Sequence, residues 1–244
     1  MTAIYDTIGV DYANLRKPDP RIAQAIHAAL GNARTVLNVG AGTGSYEPGH
    51  REVAALEPSA EMIAQRSSQA APVVQGTAED LPFADDSFDA AMGVLTVHHW
   101  SDQAKGLAEM RRVARDRIVL LTFDPENRVQ WLLDYWPKLA DLDARIMPKL
   151  SLYGEVLGQV EIVPVPIPHD CTDGFLYAYW RRPHAYLDPA VRKSISSFWK
   201  IDADAGLARL AKDLDSGAWE ARYRELLTRN EIDAGYCLLL AELR

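Results

Sequence analysis

Cysteine is scarce in this chain of 244 residues: Cys171 and Cys237 are the only two, and they lie far apart. Without metal-ligand spacing or a partner-rich pattern, neither a disulfide framework nor a zinc cluster is expected, and a reducing, cytoplasmic setting suits the chain. Long apolar runs are missing as well. None reaches the roughly 18 residues that a membrane helix needs, and no apolar signal core opens the sequence. Positive charge is in deficit, with 26 Lys and Arg against 34 Asp and Glu and a net charge of −8. Such a balance disfavours nucleic acid or an anionic membrane as partner. The short basic pairs Arg111-Arg112 and Arg181-Arg182 are read as solvated faces or local ion pairs. Repeats and low-complexity segments are absent. The remainder, 48% hydrophobic and 25% charged, is that of a globular chain able to bury an ample core.

The most informative stretch is Val36-Leu37-Asn38-Val39-Gly40-Ala41-Gly42-Thr43-Gly44, an apolar strand running into a glycine-rich turn. Glycine takes positive φ and lets a ligand approach the backbone. A helix is expected next, its free N–H groups lining a crevice at the carboxyl ends of the strands. Gly40 and Gly42 fit the dinucleotide pattern G-x-G-x-x-G, but Ser45 occupies its last position. No Lys followed by Ser or Thr closes the loop, which argues against a phosphate loop and ATP hydrolysis.

Val53-Ala54-Ala55-Leu56-Glu57-Pro58-Ser59 reads as a second strand ending in a carboxylate. Glu57 falls near the acidic position about 20 residues after such a loop, where ribose hydroxyls bind. Ser59 caps a helix carrying Met62 and Ile63. Residues 73–83 read V-V-Q-G-T-A-E-D-L-P-F, and residues 87–100 read S-F-D-A-A-M-G-V-L-T-V-H-H-W. This ordered set resembles the class I S-adenosylmethionine-dependent methyltransferases, in the broad group that includes the ubiquinone and menaquinone biosynthesis methyltransferases. The resemblance covers residues 1–124, about half of the chain.

Asp19 and Pro20 open a helix whose Ile22, Ile26 and Leu30 share one face. Strands are expected at residues 35–39, 53–56, 72–75, 89–97 and 117–123. Ser101 should cap a helix bearing Leu107, Met110 and Val113. The alternation implies an α/β fold with a doubly wound, mostly parallel sheet. Residues 127–147 read as one helix. Val160 to Ile167 reads as strand six, and Pro164, Pro166 and Pro168 mark it as an edge or irregular strand. Gly235 to Ala241 reads as the last strand. The resemblance implies a seven-stranded Rossmann-like sheet with an antiparallel last strand, here with a helical insertion over residues 169–232 between strands six and seven. Insertions of that size are usually functional. The chain is read as a single domain: a cofactor-binding half at 1–124, substrate or lid elements at 125–168 and 169–232, and the last strand at 233–244.

Methyl transfer from a sulfonium is an in-line displacement on an activated donor, so the protein mainly supplies position. A base is needed only where the acceptor must lose a proton. The resemblance implies that Gly40, Ala41 and Gly42 approach the methionyl part and ribose of the cofactor, and that Glu57 binds the ribose hydroxyls. Pro58 and Met62 would flank the adenine, with Thr77, Ala78 and Glu79 along its other edge. Val94 and Leu95 would offer carbonyls to the cofactor ammonium. Tyr5, Tyr12 and Arg16 stand where relatives place an N-terminal cover, and Arg16 could pair with the cofactor carboxylate. An ordinary surface helix is the other reading of Tyr12 and Arg16. Asn38 stands where the family more commonly has an acidic residue and carries no charge.

His98 and His99, read as neighbours on a strand, would point to opposite faces, so no metal site is expected. His99 would line the pocket above the cofactor. His169 and Asp170 follow strand six and are candidates for a base or an acceptor anchor, with a plain polar turn tipped by Asp173-Gly174 as the alternative. Residues 180–186, with Arg181 and Arg182, could bind an acidic group or pair with nearby carboxylates. Of 21 aromatic residues, 11 lie between residues 125 and 200. They either build a pocket for a partly apolar or aromatic acceptor or pack a lid on the sheet.

The function implied is S-adenosylmethionine-dependent methyl transfer to a small-molecule acceptor, leaving S-adenosylhomocysteine. Two alternatives stand beside it. Gly40, Gly42 and Glu57 would also serve an NAD-dependent oxidoreductase, although Ser45 and the E-D-L-P-F and D-S-F-D segments weigh against it. A non-catalytic S-adenosylmethionine-binding protein is the other.

Overall fold

The computed structural model describes residues 16–244. Nine strands follow one another there: β1 (Thr35–Val39), β2 (Glu52–Glu57), β3 (Val73–Gln75), β4 (Phe88–Val94), β5 (Ala114–Phe123), β6 (Val160–Pro164), β7 (Ile167–Pro168), β8 (Glu231–Ile232) and β9 (Tyr236–Glu242). Seven form one sheet in the order β3-β2-β1-β4-β5-β9-β6, while β7 and β8 pair with each other. Strands β1 to β5 are mutually parallel, and β9 runs antiparallel to both β5 and β6. This is the doubly wound α/β sheet with a reversed last strand that the sequence led us to expect.

Alternation along the strands divides the core between two faces. Val36, Ala90, Met92, Val119 and Leu121 face one side, where α1 (Pro20–Ala29) lays down Ile22 and Ile26. Helix α2 (Ala60–Ala64) follows β2, with the Ser59 hydroxyl accepting from the Met62 amide at 3.2 Å. On the other face Leu37, Val39, Ala91, Ile118 and Leu120 meet α3 (Gln103–Val113), which contributes Leu107, Met110 and Val113. Each such side chain, fully buried, stabilises by about 1.5–3 kcal/mol. That burial fixes the sheet and therefore the strand ends that carry the site.

The structure departs from expectation in several places. No helix follows the glycine loop: residues 42–46 are consecutive turns, and Pro48 and Gly49 lead straight towards β2. Gly40, Gly42, Gly44 and Tyr46 all take positive φ, which a helix does not allow. The cap of α3 is Asp102, which accepts from the Lys105 amide at 2.9 Å, in place of Ser101. Pro137 divides the expected helix over 127–147 into α4 (Gln130–Tyr135) and α5 (Lys138–Ile146). An unanticipated α6 (Leu150–Leu157) buries Tyr153 and Leu157 against the α3 side of the sheet.

Strand six ends at Pro164, and the chain re-pairs as β7, whose Ile167 stands opposite Ile232 of β8. The insertion is therefore clasped at its two ends by a short ladder. Between them lie α7 (Pro189–Lys193), α8 (Asp204–Asp215), α9 (Ala218–Arg222) and α10 (Arg224–Leu227). Trp131, Trp136, Trp180, Trp219 and Tyr186 are fully buried together. Trp131 meets Trp219 edge-on at 5.4 Å, and Trp136 meets Phe198 edge-on at 5.1 Å. Such pairs add about 0.5–1.5 kcal/mol each beyond their area. These rings pack the insertion onto α4; a different set lines the cavities described below. Among the described residues no helix is long and apolar enough to cross a membrane.

Candidate functional site

A cleft of about 310 Å³ opens where β1, β2 and β4 end. Its floor is the glycine loop. Gly40 has φ +69°, and a Cβ there would overlap the Thr96 hydroxyl and lie 2.9 Å from the Thr96 Cβ, so only glycine fits. The amides of Gly40 and Ala41 donate to the Leu56 carbonyl at 2.8 and 3.0 Å, which pins the loop to β2. Glu57 is only 4% exposed. Its Oε2 accepts from the Gly42 amide at 2.8 Å, and its Oε1 accepts from the Ser59 amide at 2.9 Å. A charge-assisted acceptor thus holds the loop on one side and the start of α2 on the other while bordering the cleft.

Asn38 also lines the cleft. Its Nδ2 donates to Glu47 Oε1 at 3.2 Å, which settles the orientation of the amide. Oδ1 is then a buried acceptor with no hydrogen-bond partner. The charge missing at position 38 is supplied behind it by Glu47, which is itself paired with Arg66 at 2.7 Å. Pro58, Met62, Thr77, Ala78 and Glu79 line the next part of the wall. Burial alone would raise the Glu79 carboxyl, but hydrogen bonds from the Asp102 amide and the Ser101 hydroxyl and amide bring it below the usual carboxylate range.

Arg16 borders the cleft, with its guanidinium on Asp173 at 2.6 Å. Tyr46 donates to the same carboxylate at 2.7 Å and accepts from the Asp19 amide at 3.3 Å. Burial, then the Asp173 charge, pushes the Tyr46 phenol well up, so it stays protonated. This joint between the glycine-loop turn, residue 16 and the start of the insertion went unread in the sequence. Tyr5 and Tyr12 lie outside the described residues.

Strand β4 stops at Val94, and Leu95 takes φ +51°, a left-handed conformation that a leucine rarely adopts. The chain is thereby turned out of the sheet into a 3-10 turn at Val97–His99. This corrects the strand reading of residues 89–97: His98 and His99 do not point to opposite faces. Their rings lie 3.9 Å apart, tilted by 46°. Both line a second cavity of about 90 Å³, and His99 also lines the main cleft. Burial depresses His98 to about 3, helped by Lys200 and Arg16. Burial, then His98, Lys200 and Arg16, holds His99 well below the ordinary histidine range. Both imidazoles are neutral at physiological pH. Among the described residues no cluster of three His, Cys, Asp or Glu side chains could hold a metal ion.

The second cavity shares Arg16, Val94, Leu95 and His99 with the cleft. Asp143 of α5, Phe123, Phe175, Tyr177 and Tyr236 complete most of its wall. Asp143 had a legible signal, since it falls on the buried face of α5 with Leu139 and Leu142. His169 and Asp170 line neither cavity. The β7–β8 ladder holds the His169 amide on the Asn230 carbonyl at 2.8 Å, and the exposed Asp170 pairs with Arg21 at 2.8 Å. The inward acid of this turn is Asp173, three residues later. Arg181 donates to the main-chain carbonyl of Arg229, and Arg182 to those of Cys171 and Ala178.

Residues 37–121 match the family described as "Methyltransferase domain". The chain is 36% identical over 108 residues to an uncharacterized methyltransferase of Bacillus subtilis, covering 38% of this chain and 43% of that protein. It is 33% identical over 106 residues to the demethylmenaquinone methyltransferase of Thermotoga maritima, covering 39% of this chain and 46% of that protein. The chain thus spans less than half the length of these curated relatives. A solved structure from Anabaena variabilis, assigned to the methyltransferases of an antibiotic biosynthesis pathway, is similar throughout. It shares 37% identity over 94% of this chain and 99% of its own, with a TM-score of 0.86.

Proposed function

This chain belongs to the class I S-adenosylmethionine-dependent methyltransferases, and on that premise we propose that it methylates a small, partly apolar molecule seated in the second cavity. The observation that carries the reading is the wall of Arg16, Val94, Leu95 and His99 common to both cavities. A group in the cleft and a group in the smaller cavity would meet across it.

The cleft fits the cofactor. Gly40 lets the loop backbone pack directly on Thr96 at the floor of the cleft. Asn38 Oδ1 is an orphaned acceptor suited to an ammonium. Glu57 would accept from the ribose hydroxyls, and Pro58 and Met62 would flank the adenine, with Thr77, Ala78 and Glu79 along its far edge. Val94 and Leu95 would add carbonyl acceptors beside Asn38, with Gly40, Ala41 and Gly42 under the methionyl part. Arg16 would stand over the carboxylate end, held there by Asp173. The bound cofactor supplies a methyl group already activated on a sulfonium. What the chain itself must do is orient the acceptor and, where the acceptor carries an ionisable proton, receive it. His99 on the shared wall would be the group to receive it, with burial and nearby cations holding its basicity low until the acceptor is bound. The NAD reading loses support from the missing helix, since a pyrophosphate is normally met by the helix N-terminus after the loop.

The test is to incubate the protein with S-adenosylmethionine and a panel of small phenols, amines, enols and thiols, and to quantify S-adenosylhomocysteine. We expect product with at least one acceptor. For an acceptor that gives up a proton, His99→Gln should lower turnover by about 10²–10⁴-fold. Binding of S-adenosylmethionine without transfer to any class would favour the non-catalytic reading instead.

A further inference from the structure

The smaller cavity contains polar groups left without a hydrogen bond among the described residues. Tyr177 is fully buried, and its hydroxyl has no hydrogen-bond partner. Asp143 is 3% exposed, and its Oδ2 also lacks one. Arg128 Nη1 stands 3.5 Å from it, an ion pair in which neither atom makes a hydrogen bond. Native interiors rarely leave such groups unsatisfied, and each instance needs a reason. Packing supplies none, because phenylalanine at 177 and asparagine or leucine at 143 would occupy the same space with less to desolvate. Phe123, Phe175 and Tyr236 share the wall with Ile146, Met147, Leu176, Ile195, Ser196 and Ser197. Phe123 stacks on Tyr177 at 5.3 Å, and Phe175 meets Tyr236 at 4.5 Å.

We infer that this cavity takes a one-ring aromatic molecule carrying a hydrogen-bond donor, a phenolic hydroxyl or an aryl amine, whose polar group meets Asp143 and Tyr177 while its ring lies among Phe123, Phe175 and Tyr236. The inference rests on the reading of this cavity as the acceptor site and names the acceptor's class. Size supports one ring. The volume of about 90 Å³ is below the ~150 Å³ of an apolar cavity that takes up benzene, so one ring is the upper limit for what this cavity alone encloses. Chemistry supports a donor, because a carboxylate only accepts and Tyr177 can do either. A purely apolar ring would leave both groups unsatisfied. A benzoate would set its charge against the Asp143 carboxylate, which is buried with little solvent to screen it.

The experiment is calorimetric titration of phenol, aniline, toluene and benzoate into the full chain, with and without saturating S-adenosylhomocysteine. Phenol or aniline should bind at least about tenfold more tightly than toluene and benzoate. Tyr177→Phe and Asp143→Asn should each reduce the preference for phenol over toluene by roughly fivefold or more, with S-adenosylhomocysteine affinity unchanged. Tyr177→Phe should melt no lower than the parent, since it removes an unsatisfied buried hydroxyl, whereas Asp143→Asn also gives up the ion pair with Arg128 and should lose some stability. Equal binding of phenol and toluene, tighter binding of benzoate, or a clear fall in melting temperature in Tyr177→Phe would overturn the inference. The two arms separate the claims. Failure of S-adenosylhomocysteine to bind strikes the proposed function, whereas failure of the phenol preference on protein without it strikes this assignment alone.

Discussion

Two adjoining cavities are built by different means. Gly40, held on the Leu56 carbonyl, and Gly42, held by Glu57, shape the larger one through the backbone, with hydrogen bonds from amides and a φ at Gly40 that only glycine accommodates. Asp143, Tyr177 and the surrounding rings shape the smaller one through side chains drawn from α5, the insertion, β5 and β9. A backbone-built site admits almost no variation in the residues that form it, and it suits a ligand that stays the same. A side-chain-built site can be altered one residue at a time without moving a strand. That is the division expected between a shared cofactor and an acceptor particular to this chain.

The comparison can be broken most severely at the joint between the two regions. Asp173 receives Arg16 and Tyr46 from the cofactor side and sits at the start of the insertion. Asp173→Ala should therefore destabilise by about 3–5 kcal/mol in urea unfolding, as expected when one partner of a buried charged pair is removed. A loss under about 1 kcal/mol would show that the regions are joined elsewhere. Next comes Gly40→Ala, which forces a Cβ into Thr96 at φ +69°. A loss of about 3 kcal/mol in stability is expected, with S-adenosylhomocysteine binding abolished and phenol binding in the smaller cavity retained. Loss of both would deny that the cavities are separately built.

Glu57→Gln should weaken S-adenosylhomocysteine by about 1.5–3 kcal/mol, the worth of hydrogen bonds to a charged group. Glutamine keeps one acceptor, so the melting temperature should fall less than in an alanine variant, which would also free the Gly42 and Ser59 amides. An unchanged dissociation constant would make Glu57 a loop anchor and nothing more.

The smallest expected effect is on pH dependence, where the smaller cavity holds two opposed groups. His98 titrates at about 3 folded against 6.5 unfolded. The unfolded chain takes up a proton that the fold refuses, so stability present above pH 6.5 is lost as pH falls towards 3. Asp143 is raised by burial from 3.8 to about 6, with Arg128 opposing the rise. Its contribution has the other sign: full below pH 3.8 and lost as pH rises through 6. Between pH 4 and 6 the two partly offset one another. Asp143→Asn should therefore steepen the loss of stability on acidification in that window. Identical slopes for variant and parent would show that the carboxyl is hydrated.

The same contrast explains what could be read from the sequence. Parallel strands buried on both faces are apolar runs, so β1, β2, β4 and β5 stood out, as did the glycine loop and Glu57. The helix expected after the loop does not form, because Gly44 and Tyr46 take positive φ and Pro48 follows closely. Pro137 was likewise a visible break in the helix expected over 127–147. Other features had no local signal. Nothing in the sequence announces that Leu95 takes a left-handed turn, yet that turn carries His98 and His99 out of the sheet. Nor does it announce that a two-residue ladder would turn Asp170 outward and Asp173 inward. Residues brought together from distant segments are legible only in three dimensions, and the smaller cavity consists almost entirely of such residues.

The central claim is that the glycine-loop cleft holds the methyl donor, and titrating S-adenosylmethionine, S-adenosylhomocysteine and NAD calorimetrically into the unaltered chain tests it most directly. Both S-adenosyl compounds should bind with micromolar dissociation constants, about −8 kcal/mol, and NAD should bind far more weakly or not at all. No heat from either S-adenosyl compound, together with tight NAD binding, would contradict the account.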